Sequence, residues 1–323
     1  VFGRRNKVTS TTGSAGQADA PDSPPLDEKG RRAVISTRNL IKRFGSQTVL
    51  SGVDLDIYEG ETLVVMGGSG CGKSTLLRCL IGALPVDQGA VSMLGRDLSV
   101  LGEQELDETR LKFGILFQSG ALYNSMTIGE NVALPLREHT DLAPEVIDIQ
   151  VKMKLELVGL REHADKLPSQ ISGGMKKRAG LARAMALDPR ILFYDEPSAG
   201  LDPVTSAEID RLIIHLSRGL GVTSVVVTHE MDSAFTIADR MVMLDKGVVL
   251  KIEKRDWFDR LRHLPADQAA DLSETERVIR QFLRGDAEGP ITERRSASNY
   301  AEDLLGGAKA APMPSVEATR PTP

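Results

Sequence analysis

Gly67-Gly68-Ser69-Gly70-Cys71-Gly72-Lys73-Ser74-Thr75 places four glycines, a lysine and a hydroxyl pair within nine positions. Gly67, Gly72, Lys73 and Ser74 fall at the spacing G-x-x-x-x-G-K-[ST]. Chemistry that needs this set is the cradling of phosphate. The glycines let backbone N–H groups curl around oxygens without Cβ clashes, and a following helix adds its positive end. Lys73 would reach the β- and γ-phosphates of a nucleotide, and the Ser74 hydroxyl would ligate Mg²⁺. An accidental glycine-rich turn is the alternative. The apolar strand Leu63–Met66 before the loop and the amphipathic segment Ser74–Ala83 after it argue against that. Cys71 has two readings: a thiol activated at a helix N-terminus, or a filler that contributes its backbone N–H, the second being expected.

Ile191-Leu192-Phe193-Tyr194-Asp195-Glu196 is an apolar strand that ends in two acids. A carboxylate delivered to a strand tip suits a Mg²⁺ site beside a phosphate loop, so Asp195 is the candidate ligand, directly or through water. Glu196, one residue on, is placed to polarise an attacking water as general base. The plainer reading is that Asp-Glu-Pro starts a surface turn. Ser172-Gly173-Gly174, ahead of a helical segment, is a candidate second phosphate-binding helix start, or an ordinary one. Gln118 ends a strand, Ser198–Asp202 follows the acidic pair, and Thr228-His229-Glu230 ends the next strand. Phe44, upstream of the loop, is an aromatic able to stack on adenine, or simply core. His139, His163, His215 and His263 are given no role.

Short apolar strands alternating with helical segments must position these residues, which implies an α/β fold with a largely parallel sheet. Strands are expected at Ala33–Phe44, Val53–Ile57, Thr62–Met66, Ala90–Leu94, Phe113–Phe117, Ile191–Tyr194, Thr223–Thr228, Met241–Leu244 and Val248–Ile252. A helical stretch runs from about Thr127 to Gly159, opened by the capping-box pair Thr127 and Glu130 and divided by Pro135 and Pro144. Helices are also expected after Ser172, at Val204–Ser217 and at Met231–Ala238. A C-terminal helix over about 273–284 starts at a second capping box, Ser273 with Glu276. Residues 1–32 and 286–323 are poor in large apolar side chains; the first is expected to be a disordered N-terminal tail and the second a low-complexity C-terminal one.

Composition sets the outer bounds. Of 323 residues, 41% are hydrophobic and 26% charged, which excludes a wholly disordered or multi-span membrane chain. A net charge of −5 disfavours a dedicated nucleic-acid binder. Two cysteines, Cys71 and Cys79, make no disulfide framework. Residues 1–32 hold no apolar stretch of signal-peptide type, so a soluble protein is expected.

The ordered set of motifs resembles the nucleotide-binding subunit of ATP-binding cassette (ABC) transporters, over about residues 34–255. The resemblance implies a P-loop NTPase cassette with a mainly parallel core sheet, an N-terminal antiparallel β-subdomain and an inserted helical subdomain at about 119–180, all within 33–285. It implies ATP and Mg²⁺ as ligands. Gly67–Thr75 resembles Walker A and Asp195 the Walker B aspartate. Glu196 resembles the catalytic glutamate, and Gln118 the Q-loop glutamine that senses Mg²⁺ and water. His229 resembles the switch histidine that contacts the γ-phosphate. Ser172, Gly173 and Gly174 resemble the signature loop, which would act on ATP held by the other subunit of a homodimer. Ser198–Asp202 resembles the D-loop. Ile171 and Met175 replace the Leu and Gln of the common signature, but its phosphate-facing residues remain.

Two stretches narrow the resemblance: Gly114–Tyr123 running on to Asn131–Thr140, and Ser172–Leu181. Both are similar to ATPase subunits of MCE-type lipid transporters, the Mla-like systems. Arg280–Gly285 resembles the end of that family's ATPase. Membership implies two copies at the cytoplasmic face of the inner membrane, bound to an integral membrane permease (MlaE-like). Through it they would reach an MCE-domain protein, with phospholipid or a related lipid as cargo; some members also bind a STAS-domain protein. The permease would dock near Gln118–Arg137, on Leu122, Tyr123, Met126 and Ile128, unless these are the insertion's own core. A cassette importing another solute, a soluble cassette acting on DNA or ribosomes, and a nucleotide-binding scaffold without turnover remain the alternatives.

Overall fold

A computed structural model describes residues 25–292. The tails expected at 1–32 and 286–323 lie outside the described residues up to 24 and from 293. Residues 25–32 form a turn in which the Asp27 carboxylate accepts from the backbone N–H of Lys29 and Arg31, with Leu26 bridged to Arg32.

The elements run β1 (Ala33–Phe44), β2 (Gln47–Tyr58), β3 (Thr62–Met66), α1 (Lys73–Leu80), β4 (Gln88–Met93), β5 (Arg96–Asp97), α2 (Glu103–Arg110) and β6 (Phe113–Leu116). Then come α3 (Ile128–His139), α4 (Pro144–Leu157), α5 (Gly173–Ala184), β7 (Ile191–Asp195), α6 (Pro203–Ile214) and β8 (Thr223–Val227). The described chain closes with α7 (Met231–Ile237), β9 (Arg240–Asp245), β10 (Val248–Lys254), α8 (Arg255–His263) and α9 (Glu274–Arg284).

An antiparallel sheet has the order β2-β1-β4-β5. A second sheet has the order β10-β9-β3-β8-β7-β6 and is parallel except for β10. This is the expected cassette architecture. All five residues of β3 are buried, and their alternation feeds two cores. Val64 and Met66 join the cluster under α3 to α6, while Leu63 and Val65 pack toward α1 and the antiparallel sheet. Alternate side chains of the sheet's central strand thus hold the two halves together.

Several local expectations are corrected. Pro135 does not divide the first helical stretch: α3 continues through it. The lost N–H bond is outweighed by burial of Ile128, Val132, Ala133 and Leu136 along one face. Pro144 instead opens α4 at a first-turn position, where its missing N–H costs nothing. β2 extends well upstream of Val53, because Gly52, at φ +71, absorbs an irregularity that breaks the apolar alternation. α6 gives way at His215 to a π-helical turn, His215–Gly219. α2 and α8 add to the expected elements. α2 buries only Thr109, and α8 only Phe258 and Leu261, too little pattern to stand out from charged loop.

Candidate active site

Four neighbouring parallel strands, β3, β8, β7 and β6, end on the same edge of the sheet. Each delivers one expected element: the loop 67–72 follows β3, His229 follows β8, Asp195 and Glu196 close β7, and Gln118 follows β6. Ligands of open α/β sheets bind beyond these carboxyl ends.

The loop's shape depends on two glycines. Gly67 adopts φ +155, and a Cβ there would collide with the Leu244 carbonyl and lie 2.7 Å from Cys71 Sγ. At Gly72, φ +109, a Cβ would lie 2.9 Å from Leu50 Cδ2 and 3.0 Å from the Val49 carbonyl oxygen. Gly68 and Gly70 face open space, and Ser69 and Gly70 are exposed. Gly72 supplies no side-chain cap to α1, so the first-turn N–H groups point outward as an anion site. Lys73 is buried, and its Nζ donates to the carbonyls of Gly67 (2.8 Å) and Gly68 (3.1 Å). Ser74 is exposed and Thr75 half-buried on the next positions. Cys71 is buried, and desolvation pushes its thiol up despite the opposing Lys73 charge, which is the reverse of an activated thiol.

Glu196 and His229, separate motifs in the sequence, form one unit. Glu196 Oε1 lies 2.8 Å from His229 Nδ1, and the His229 backbone N–H donates to Glu196 Oε2 at 3.3 Å. The carboxylate is 13% exposed and the imidazole 59%, so the acid is sheltered and the ring faces out. Glu196 sits at φ +49, a left-handed backbone that is costly for a residue with a Cβ. Its N–H donates to the Val227 carbonyl at 2.9 Å, and its own carbonyl accepts from Ala199 N–H at 3.3 Å. Asp195 is half-buried. Burial first, then the Glu196 charge, push its carboxyl up, while Arg78 and Lys73 act the other way.

Ser74, Asp195 and Gln118 offer oxygen donors of the kind Mg²⁺ takes. Among the described residues no group of three or more His, Cys, Asp or Glu is arranged to hold a metal. Gln118 is exposed on the turn after the edge strand. Phe44 is 49% exposed at the end of β1, with Lys42 Nζ 5.5 Å from its ring centre, so it is not core.

The signature residues are placed differently. Ser172 caps α5, accepting from Met175 N–H at 3.3 Å, and Gly173 and Gly174 open that helix. A Cβ on Gly174 would overlap Thr205 Cγ2 of α6. These residues pack on the Ser198–Asp202 segment and α6 rather than on the phosphate loop; Asp202 caps α6 through Val204 and Thr205 N–H.

Two buried side chains that hold the backbone around the site escaped the sequence reading. Lys177 of α5 is buried, and its Nζ donates to the carbonyls of Glu196 (3.0 Å) and Ala199 (2.8 Å). Burial pulls its ammonium down, against the charges of Glu230 and Glu196. Its spacing with Gly174 and Leu181, both buried on the same face, was the available signal. Asn131 is fully buried; its Oδ1 accepts from Tyr123 N–H, and its Nδ2 donates to the carbonyls of Tyr123, Met126 and Thr127. It therefore fixes the segment after Gln118. In that segment Tyr123 is 55% exposed, whereas Ile128 is fully buried and Leu122 leans into the core. Ile128 is thus withdrawn from the docking surface. Exposed Phe117 lies on a groove of about 910 Å³ that also takes in Leu111, Pro135 and Arg183.

This arrangement of strand ends defines a phosphate-loop nucleotide-binding domain with an inserted helical lobe. An ABC transporter family model matches residues 50–199. A Mycobacterium leprae protein named probable ribonucleotide transport ATP-binding protein mkl is 42% identical over 271 residues, 83% of this chain and 74% of that one. The intermembrane phospholipid transport system ATP-binding protein MlaF of Haemophilus influenzae is 39% identical, over 84% of this chain and 98% of its own. Its Escherichia coli K12 namesake is 39% identical over 85% and 97%. Among solved structures, the ATP-binding cassette MJ0796, a dimer bound to ADP and Pi, is 33% identical with TM-score 0.64, covering 68% of this chain and 98% of that one. The chain belongs to the ABC transporter family of ATP-binding proteins, and ATP is its nucleotide.

Proposed function

We propose that this chain is the ATP-hydrolysing subunit of a transporter that moves phospholipid across a cell envelope. The Glu196–His229 contact at 2.8 Å carries the hydrolysis half of this reading, because it sets a sheltered carboxylate and an exposed imidazole beside the phosphate loop. Lys73 and the loop N–H groups bind the β- and γ-phosphates and stabilise charge on the transferring phosphoryl group. Mg²⁺, when bound, supplies further neutralisation of that charge, and Ser74, Asp195 and Gln118 would hold it. Glu196 orients the attacking water and accepts its proton. His229 Nδ1 is engaged by Glu196, which leaves Nε2 for the γ-phosphate. Phe44, exposed at its strand end, stacks on adenine. Ser172, Gly173 and Gly174 serve the ATP of a second copy, a role supported by their placement away from the chain's own phosphate loop.

The cargo rests on the relatives. Those named for phospholipid transport are matched over nearly their whole length. The second reading, a ribonucleotide or another solute, is favoured by the name of the mycobacterial relatives, of which this chain spans about three quarters. The proposed partners are a second copy of the chain, an integral membrane permease at the Phe117–Tyr123 surface, and through it an MCE-domain protein, with a STAS-domain protein as a further candidate. No helix among the described residues is long and apolar enough to cross a membrane, which suits peripheral attachment to the inner membrane through the permease.

Glu196→Gln keeps size and backbone while removing the base. It is expected to reduce phosphate release to near background while ATP-bound dimers still form in gel filtration. Undiminished hydrolysis would overturn the assignment. Reconstitution with the permease in vesicles, followed by fluorescent phospholipid transfer and ribonucleotide uptake side by side, separates the two cargo readings.

A further inference from the structure

We propose that Lys177 is a positioning residue for ATP hydrolysis, holding the backbone of Glu196 and the following turn from the first turns of α5. The proposal rests on the ATPase reading above.

A left-handed backbone at a glutamate persists only where the surroundings over-determine it. At Glu196 the N–H is tied to β8 through the Val227 carbonyl. On the other side, the carbonyl accepts from Lys177 Nζ at 3.0 Å. The same ammonium takes the Ala199 carbonyl at 2.8 Å, so one buried cation pins both ends of the turn 196–199. Lys177 is 5% exposed, and burying an ammonium is expensive unless the site repays it. Here two backbone carbonyls provide charge-assisted bonds, and the carboxylates of Glu230 and Glu196 act from further off. A hydrophobic side chain would fill the space without that cost. A lysine at this position is explained by what it holds: the residue whose carboxylate meets His229.

Neither bond of Lys177 reaches the phosphate loop, so its loss should spare nucleotide binding and strike turnover. A displaced general base costs on the order of 10- to 100-fold in rate. In the full-length protein, Lys177→Met is expected to lower kcat for ATP by that factor. KM and the stoichiometry of ATP binding should stay within about twofold of the starting protein. Lys177→Arg, which keeps a charged donor, should recover most of the rate, and Lys177→Gln should fall between. Rates are to be normalised to nucleotide-binding-competent protein, so a variant that folds poorly loses sites rather than counting as slow. Should Lys177→Met yield no folded protein, the Arg and Gln variants carry the comparison. Equal kcat per competent site across the variants would overturn the proposal, as would a rise in KM with kcat unchanged. Glu196→Gln in parallel separates the two levels. If it hydrolyses ATP normally, the ATPase assignment itself fails; if it is inactive while Lys177→Met is not, only the positioning role fails.

Discussion

Gly174→Ala offers a test of the packing that seats the signature helix. The added Cβ would overlap Thr205 Cγ2, and the next nearest atom, Thr205 Cβ, lies at an ordinary 3.7 Å. The clash is therefore with a single methyl group. Overpacking of this kind costs about 1–3 kcal/mol, while replacing glycine by alanine in a helix returns about 0.5–1 kcal/mol. The net loss should be about 1–2 kcal/mol, or roughly 2–8 °C in Tm for a domain of this size. Thr205→Ser removes only the methyl and keeps the hydroxyl bond to Asp202 Oδ2 at 2.5 Å. Thr205 is half-buried, so this should cost less than the roughly 0.8 kcal/mol of a fully buried methyl. In that background Gly174→Ala has room, so only the helix gain remains and the sign of its effect reverses. The double-mutant cycle should show a coupling of about 1.5–3 kcal/mol, close to the cost of the overlap itself. Urea unfolding followed by far-UV circular dichroism provides the measurement. If Gly174→Ala proves equally harmful in the Thr205→Ser background and in the unaltered protein, the reasoning is refuted, because the cost would then lie elsewhere than in Thr205 Cγ2.

Two further outcomes are expected. Asn131→Ala removes four hydrogen bonds that fix residues 123–127, which should cost about 2–4 kcal/mol in unfolding experiments and reduce permease-stimulated hydrolysis more than basal hydrolysis. Both thiols should resist iodoacetamide at neutral pH. Burial raises Cys71 and pushes Cys79 up to about 11, so the reactive thiolate is scarce and labelling should accelerate as pH rises.

The phosphate loop was readable because its requirements are local. Gly67 and Gly72 are dictated by a backbone that leaves no room for Cβ, and Lys73 folds onto the same loop. The succession of strands along the chain was equally legible from short apolar runs such as Thr223–Val227. Lys177 was hidden because its partners lie 19 and 22 residues away, across a helix and a strand. The union of Glu196 with His229, 33 residues apart, depends on β7 and β8 being neighbours, which no periodicity shows. Pro135 misled because helix propensity was weighed without the packing of α3 on α4 and α5, and Ile128 because an apolar residue near a loop looks alike whether it faces solvent or core.

The sheet order also sets a length. β3 and β6 are separated by three strand-to-strand steps, roughly 14 Å at about 4.8 Å each. Gln118 follows β6 and Lys73 follows the loop after β3, so a ligand seated beyond these strand ends would lie between them. A nucleotide with its metal is of that size. It would work as a strut between the rigid middle of the sheet and its edge, where β6 is bonded to one neighbour only. Shortening the strut by one phosphate would let the edge relax while the centre stays fixed.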